Sequence, residues 1–295
     1  MTKKLKIILI SAAALILLGG IIFLISLAAG GFSASGLSST KTVNRVYNET
    51  PDNTINYIII DYEIADVNIV FGDALSVSYS ELYTKGGELI SDVFVSDTGG
   101  NLSIRERIRH LKNIGLNASN PKITITLPRD RALSLNIDTD LGDVRFNGGE
   151  GGNAEYVVIS TDNGDVDMKN VNAEKIDISA ENGSIEVESL LANGIIKLDT
   201  ENGDIDISGG ITASIFEADA EKGDISNERG LITANTVNLS ASLGDIDAIL
   251  AGSAADYTVR VEKGIGSSNI KSSSGGDKRL EVECELGDIE IRFEK

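Results

Sequence analysis

Eight times between residues 138 and 291 the chain returns to one nine-residue pattern built around a glycine. The copies read DTDLGDVRF (138–146), STDNGDVDM (160–168), SAENGSIEV (179–187), DTENGDIDI (199–207), DAEKGDISN (219–227), SASLGDIDA (240–248), the degenerate RVEKGIGSS (260–268) and ECELGDIEI (283–291). The glycines are Gly142, Gly164, Gly183, Gly203, Gly223, Gly244, Gly264 and Gly287, spaced 22, 19, 20, 20, 21, 20 and 23 residues apart. A period of that size marks stacked units, each too small to bury its own apolar face.

Side chains recur in steps of two on both sides of the glycine. Seven residues before it stand Leu135, Val157, Ile176, Ile196, Phe216, Val237, Tyr257 and Leu280; two after it stand Val144, Val166, Ile185, Ile205, Ile225, Ile246 and Ile289. The residues between are mostly Asp, Glu, Ser, Lys and Asn. Such alternation predicts strands with one buried face. Asn-Gly and Lys-Gly at the centre predict a tight turn, because glycine tolerates positive φ. Each unit is therefore strand, glycine turn, strand and return segment. The fold class expected is an all-β, single-stack β-solenoid of about 20-residue rungs, with one transmembrane helix before it. At about 4.8 Å per rung, eight rungs reach roughly 40 Å. An antiparallel sandwich is the other geometry, but it does not need the same side-chain type at the same place every 20 residues.

The expected organisation has four parts. Residues 1–32 are a basic tip and membrane anchor, 33–50 a linker, 51–130 an N-terminal β cap region, and 131–295 the solenoid. Lys3, Lys4 and Lys6 precede an uncharged, apolar run from Ile7 to Phe32. It is long enough to cross a bilayer, with the basic flank inside and the bulk of the chain outside; cleavage near residues 28–34 is the rival. In the cap region, Ala65-Asp66-Val67-Asn68-Ile69 looks like the repeated turn with Ala for Gly, an early, atypical rung. Residues 88–107 read as strand, glycine turn and strand, 122–128 as a strand, and 108–121 as a loop.

Charge narrows function. Residues 1–130 hold 12 acids and 12 bases, whereas 131–295 hold 33 acids and 14 bases, so the net charge of −19 sits wholly in the repeat. That excludes nucleic acid as a partner. One His and one Cys exclude a Cys/His zinc site and an intramolecular disulfide. The strongest candidate residues are the aspartates after the glycine: Asp143, Asp165, Asp204, Asp224, Asp245 and Asp288. Stacked turns place these carboxylates in a row one rung apart, where like charges raise pKa values or recruit cations. A row of weak Ca²⁺ sites and a docking surface for cationic partners are two readings. Turn chemistry with solubility is the third and is preferred. No other cofactor is indicated. Paired carboxylates also suit glycoside hydrolysis, but they recur in nearly every rung, no pair is singled out, and Trp is absent. The chain is therefore read as not an enzyme. The basic residues Arg105, Arg107, Arg109, His110 and Lys112 break the acidic trend; Arg105, Arg107, Arg109 and Lys112 are candidates for contact with an anionic surface, against a plain solvated loop. Cys284 falls on an inward position and reads as core.

The N-terminal apolar segment, the strand ITITLP (123–128) and the repeated Asn-Gly-Asp-Ile-x-Ile turns together resemble the bacterial "putative adhesin" family, domain of unknown function 4097, which includes LiaG-like cell-envelope proteins. The resemblance spans residues 45–295. It implies a β-solenoid outside the membrane and offers no catalytic residues. The expected function is a single-pass, membrane-anchored, extracellular binding or adhesin-like module whose partners are a cell-envelope protein, a surface polymer or a cationic peptide. An accessory sensor of envelope stress is the alternative, and a glycan-active enzyme the remote one.

Overall fold

The computed structural model describes residues 40–50, 53–84, 86–108, 121–227 and 229–295. The expected membrane segment lies outside these residues, and so does most of the expected loop. Among the described residues no helix is long and apolar enough to cross a membrane.

The structure is almost entirely β. The strand before each glycine lies in one sheet and the strand after it in a second, so the expected single stack consists of two sheets, of eleven and fourteen strands. Pairing between repeats is parallel and in register: Val157 lies against both Leu135 and Ile176, Ile176 against Ile196, and Ile196 against Phe216. Val166 likewise pairs with Val144 and Ile185, and Ile185 with Ile205. Parallel pairing sets like beside like, which is why one alternation pattern survives in every copy. The inward residues form one continuous core from Ile55 to Ile291.

Each rung has a third, shorter side that the glycine-centred reading left as a return segment. Leu190–Ala192, Ile211–Thr212 and Ile232–Thr233 pair with one another. They end at a row of buried alanines: Ala154, Ala173, Ala192, Ala213 and Ala234. Small side chains suit this corner because the chain there turns back toward the first sheet.

The atypical early rung is present. Tyr57–Ile64 pairs with Ser134–Leu141, and Asp66–Gly72 with Val144–Asn153. Beyond it stand Asn101–Ile108 and Lys122–Pro128, parallel to its two strands. Antiparallel strands close this end: Ser91–Thr98 on Asn101–Ile108, and Ser76–Thr84 on Lys122–Pro128, with Thr40–Asn48 outermost.

Rung order departs from chain order at both ends. At the N-terminal end, the rung of 57–72 lies inside that of 101–128. At the C-terminal end, Lys278–Leu286 pairs directly with Thr236–Leu243, and the earlier strand Tyr257–Ile265 lies outside it. The register also corrects the degenerate copy. Ile265 faces Leu286 and Val259 faces Leu280, so the turn glycine equivalent to Gly287 is Gly266, not Gly264. Tyr257 precedes the ladder; it is buried beside Phe293 at 5.5 Å between ring centres, and its hydroxyl donates to the Ala251 carbonyl at 2.9 Å.

The N-terminal rung buries one carboxyl group. Glu106 is 5% exposed; its Oε2 accepts the Ile64 N–H at 3.2 Å, while Oε1 and the neighbouring buried Tyr62 hydroxyl have no hydrogen-bond partner. Burial pushes the Glu106 carboxyl up to about 7 from an ordinary 4.5, against the opposing effects of the Ser91 hydroxyl and the Ile64 N–H, with the Glu63 charge adding to the rise. The folded chain then holds a proton that the unfolded chain releases, so this contribution is complete below about pH 4.5 and is lost as pH rises through about 7. Thermal stability should therefore fall between pH 5 and pH 8. Glu106→Gln should remove this residue's share of the fall, on the order of 1–3 kcal/mol; an unchanged pH profile in that variant would refute the assignment.

Candidate functional site

The repeated turn forms one edge of the stack. A β-carbon on Gly164, Gly183, Gly203 or Gly223 would stand 1.9 to 2.1 Å from the carbonyl oxygen of the preceding turn residue. Successive turns are thus packed backbone on backbone. Positive φ, the reason expected from the sequence, is not what these four need; the close approach is. Ala65 holds the glycine's place in the first rung, and a β-carbon on Gly142 would stand 1.9 Å from its carbonyl oxygen.

The residue after each glycine completes the contact. The Asp143 N–H donates to Asp66 Oδ1 (3.3 Å), the Asp165 N–H to Asp143 Oδ1 (3.2 Å) and the Ser184 N–H to Asp165 Oδ1 (2.9 Å). The series continues with the Asp204 N–H on Ser184 Oγ (3.2 Å), Asp224 on Asp204 (2.8 Å), Asp245 on Asp224 (2.7 Å) and Asp288 on Asp245 (2.7 Å). It ends where the Ser267 N–H donates to Asp288 Oδ1 at 2.7 Å, holding the Asp288 carboxyl below its ordinary range. Every member of the aspartate row thus accepts an otherwise unpaired backbone N–H of the next rung, a charge-assisted bond. Ser184, which departs from the pattern, does the same with its hydroxyl.

Two further ladders flank this one. Buried hydroxyls of Thr139, Thr161 and Thr200 donate to the carbonyls of Ala65, Gly142 and Gly183 at 3.3, 3.3 and 2.9 Å. Cys284, fully buried, puts its thiol against the Gly244 carbonyl at 3.4 Å. Outside, Asn182 Nδ2 donates to Asn163 Oδ1 (3.4 Å), Asn202 Nδ2 to Asn182 Oδ1 (3.1 Å) and Lys222 Nζ to Asn202 Oδ1 (2.9 Å). The inward place of the threonines is legible three residues before the glycine, but their bonds to the turn carbonyls and the outer asparagine ladder are not.

A second acidic row lies on the outer face of the first sheet: Glu63, Asp140, Asp162, Glu181, Glu201, Glu221 and Glu285. The Asp140 carboxyl is raised by partial burial and then by Asp162, Glu63 and other neighbouring carboxylates. Beside it, burial followed by Asp61 and Asp162 raises Asp138. Arg105 and Arg107 stand at the N-terminal end of these rows, with Arg105 Nε 3.8 Å from Asp61. The other members of the basic cluster, Arg109, His110 and Lys112, lie outside the described residues. A shallow groove on the same face, near the C-terminal end, is lined by Lys197, Asp219, Arg260 and Glu281 among others. Its two cations are both engaged: Lys197 with the adjacent Asp199 at 3.3 Å, and Arg260 with Glu281 at 3.6 Å. Among the described residues no three Asp, Glu, His or Cys side chains converge as a metal site.

Three measurements separate a backbone role for the turn residues from a cation role. Gly203→Ala forces a β-carbon onto the Gly183 carbonyl and should cost about 3 kcal/mol or more, whereas Ala65→Gly should cost under about 1 kcal/mol; equal costs would refute the packing account. Asp224→Ala leaves the Asp245 N–H unpaired and should cost about 1–2 kcal/mol, while Asp224→Asn keeps an acceptor oxygen and should be close to neutral. Melting temperatures in EDTA and in excess Ca²⁺ should coincide; a Ca²⁺-dependent rise abolished by Asp224→Asn would instead establish a cation site.

Solved structures with the same fold share little sequence. A putative adhesin from Bacteroides fragilis is 18% identical, with a TM-score of 0.50, and the match covers 85% of this chain and 97% of that one. A putative adhesin from Parabacteroides distasonis is 15% identical, with a TM-score of 0.51 and the same coverages. A putative lipid binding protein from Parabacteroides distasonis is 15% identical, with a TM-score of 0.50, covering 86% of this chain and 97% of that one. No curated protein matches the chain. The Toastrack DUF4097 family model matches residues 55–292, which takes in every rung of the stack, and the chain belongs to that family.

Proposed function

We propose that the chain is a non-catalytic binding module of the bacterial cell envelope, held at the membrane by residues 7–32 with its solenoid outside. The observation that carries this reading is the acidic row Glu63 to Glu285. Strand register sets its carboxylates about 4.8 Å apart over the successive rungs from Glu63 to Glu221, with Ser242 interrupting the row before Glu285, and partial burial followed by neighbouring carboxylates raises Asp140 within it. A cationic, extended ligand such as a basic peptide or an amine-bearing surface polymer matches that display. Each ammonium or guanidinium group it brings relieves repulsion already present in the free protein. The carboxylates of the turn edge are a poorer surface for such a ligand, since each already has one oxygen on a backbone N–H. The names of the structural neighbours as putative adhesins agree with binding in place of turnover.

The test uses intact cells making the full chain. Externally added protease should remove the solenoid, and protection of the solenoid would refute the outside location. Cells displaying the chain should retain a fluorescent poly-lysine peptide in low salt and release it as salt rises. The variant Asp162→Asn, Glu181→Gln, Glu201→Gln should reduce retention at least several-fold while leaving the melting temperature unchanged or higher. Equal retention by the two proteins would refute the row as the binding surface.

A further inference from the structure

The outermost strand at the N-terminal end, Thr40–Asn48, has one strand neighbour among the described residues. Its antiparallel neighbour is Ser76–Thr84, with Asn48 opposite Ser76 and Asn44 opposite Ser80. It ends the fourteen-strand sheet, and among the described residues no strand pairs with its other edge. Six consecutive residues, Lys41 to Val46, are exposed, Val43 at 36% and Val46 at 61%. The open edge has a definite phase. The Glu49 N–H donates to the Leu75 carbonyl at 3.3 Å, continuing the same register. Backbone direction alternates along an antiparallel strand, so the odd-numbered residues point at Ser76–Thr84. Thr42, Asn44 and Val46 therefore aim their N–H and C=O groups outward. A row of unpaired strand groups of this kind is a template for another strand.

The sequence of this edge is complementary to itself. In an antiparallel pairing with a second copy about Asn44, Thr42 faces the copy's Val46, Val43 faces its Arg45, and Lys41 faces its Tyr47. No like charges stand directly opposite, and each cation meets an aliphatic or aromatic side chain. Asn44 meets Asn44 on the two-fold axis. Three outward N–H groups from each copy then find carbonyls, six bonds in all. The other sheet ends are less suited. Tyr257–Ile265 is partly covered where Val259 pairs with Ser273 and the Val261 N–H meets Ser272 Oγ. Ser91–Thr98 carries Asp92 and Asp97, and Asp97 is taken by Tyr47 and Asn53.

We infer that two copies of the chain join edge to edge through Thr40–Asn48, antiparallel and centred on Asn44, as an isologous seam continuing the fourteen-strand sheet across the dimer. The inference is independent of the ligand proposed above. A seam of one strand pair buries little area and is weak for free subunits, so the readout is covalent capture of the full chain in its membrane.

Single cysteines at each position from 41 to 48 supply the test; the native Cys284 is fully buried and silent. Asn44→Cys should give an oxidised dimer on a non-reducing gel. Thr42→Cys and Val46→Cys should each give little alone, because like residues are then about 14 Å apart, but should crosslink when co-expressed. Asn44→Lys sets two lysines against each other on the axis and should cut that mixed crosslink several-fold without changing the melting temperature. Dimer formed equally from every position, dimer at alternate positions (a parallel pair), or no dimer at any position would each overturn the inference.

Discussion

Successive rungs touch backbone to backbone at the glycine turn, and the rest of the stack is arranged around that contact. A carbonyl oxygen about 2 Å from where a β-carbon would sit leaves room for hydrogen alone. Drawing the turns this close fixes the register of both sheets at once, because each turn is the hinge between one strand of each. It also brings the following N–H within reach of the next carboxylate. The aspartate row, the buried threonines and the outer asparagines all satisfy groups that the close approach has removed from water. The charge excess of the repeat half is in part a product of this local chemistry: one acceptor per rung is needed, and Asp supplies it.

The same contact explains what could be read in advance. Glycine spacing, strand alternation and the presence of a solenoid were legible because parallel in-register stacking forces every copy to solve one packing problem. Ala65 was legible as a glycine equivalent because the residues after it keep the pattern. Gly264 was misread since Glu262-Lys263-Gly264 imitates Glu221-Lys222-Gly223; only the strand register shows that Gly266 lies against the Gly287 carbonyl. The order of the end rungs was not legible either. Copies that resemble one another carry no mark of which neighbour they choose, and the Ser- and Gly-rich run after Gly266 is long enough to cross a layer. The alanine corner was visible as a residue recurring every 19 to 21 positions, but alanine is common enough to hide such a signal.

Of the candidate residues, the aspartates after the glycine are each occupied by a backbone N–H, so the carboxylates two positions before it are the better placed for a ligand. Both sets are equally acidic in the sequence. Only the direction in which each side chain leaves its turn separates them, and that depends on the neighbouring rung. Arg105 and Arg107 head these outer rows and so do not form a patch of their own among the described residues.

The inversion of rung order bears on how such an array changes in size. In a simple stack the first and last units in the chain are also the outermost, and a duplicated unit can be added at either terminus. Here the rung of 57–72 lies inside that of 101–128 and Lys278–Leu286 lies inside Tyr257–Ile265, while Thr40–Asn48 ends the fourteen-strand sheet. A new copy appended after residue 295 would find no vacant layer beside its predecessor. Lengthening therefore has to occur by insertion among the middle rungs, between about residues 144 and 251, where the spacing is most regular and consecutive copies are true neighbours. The closures at both ends could then pass unchanged from a short array to a long one.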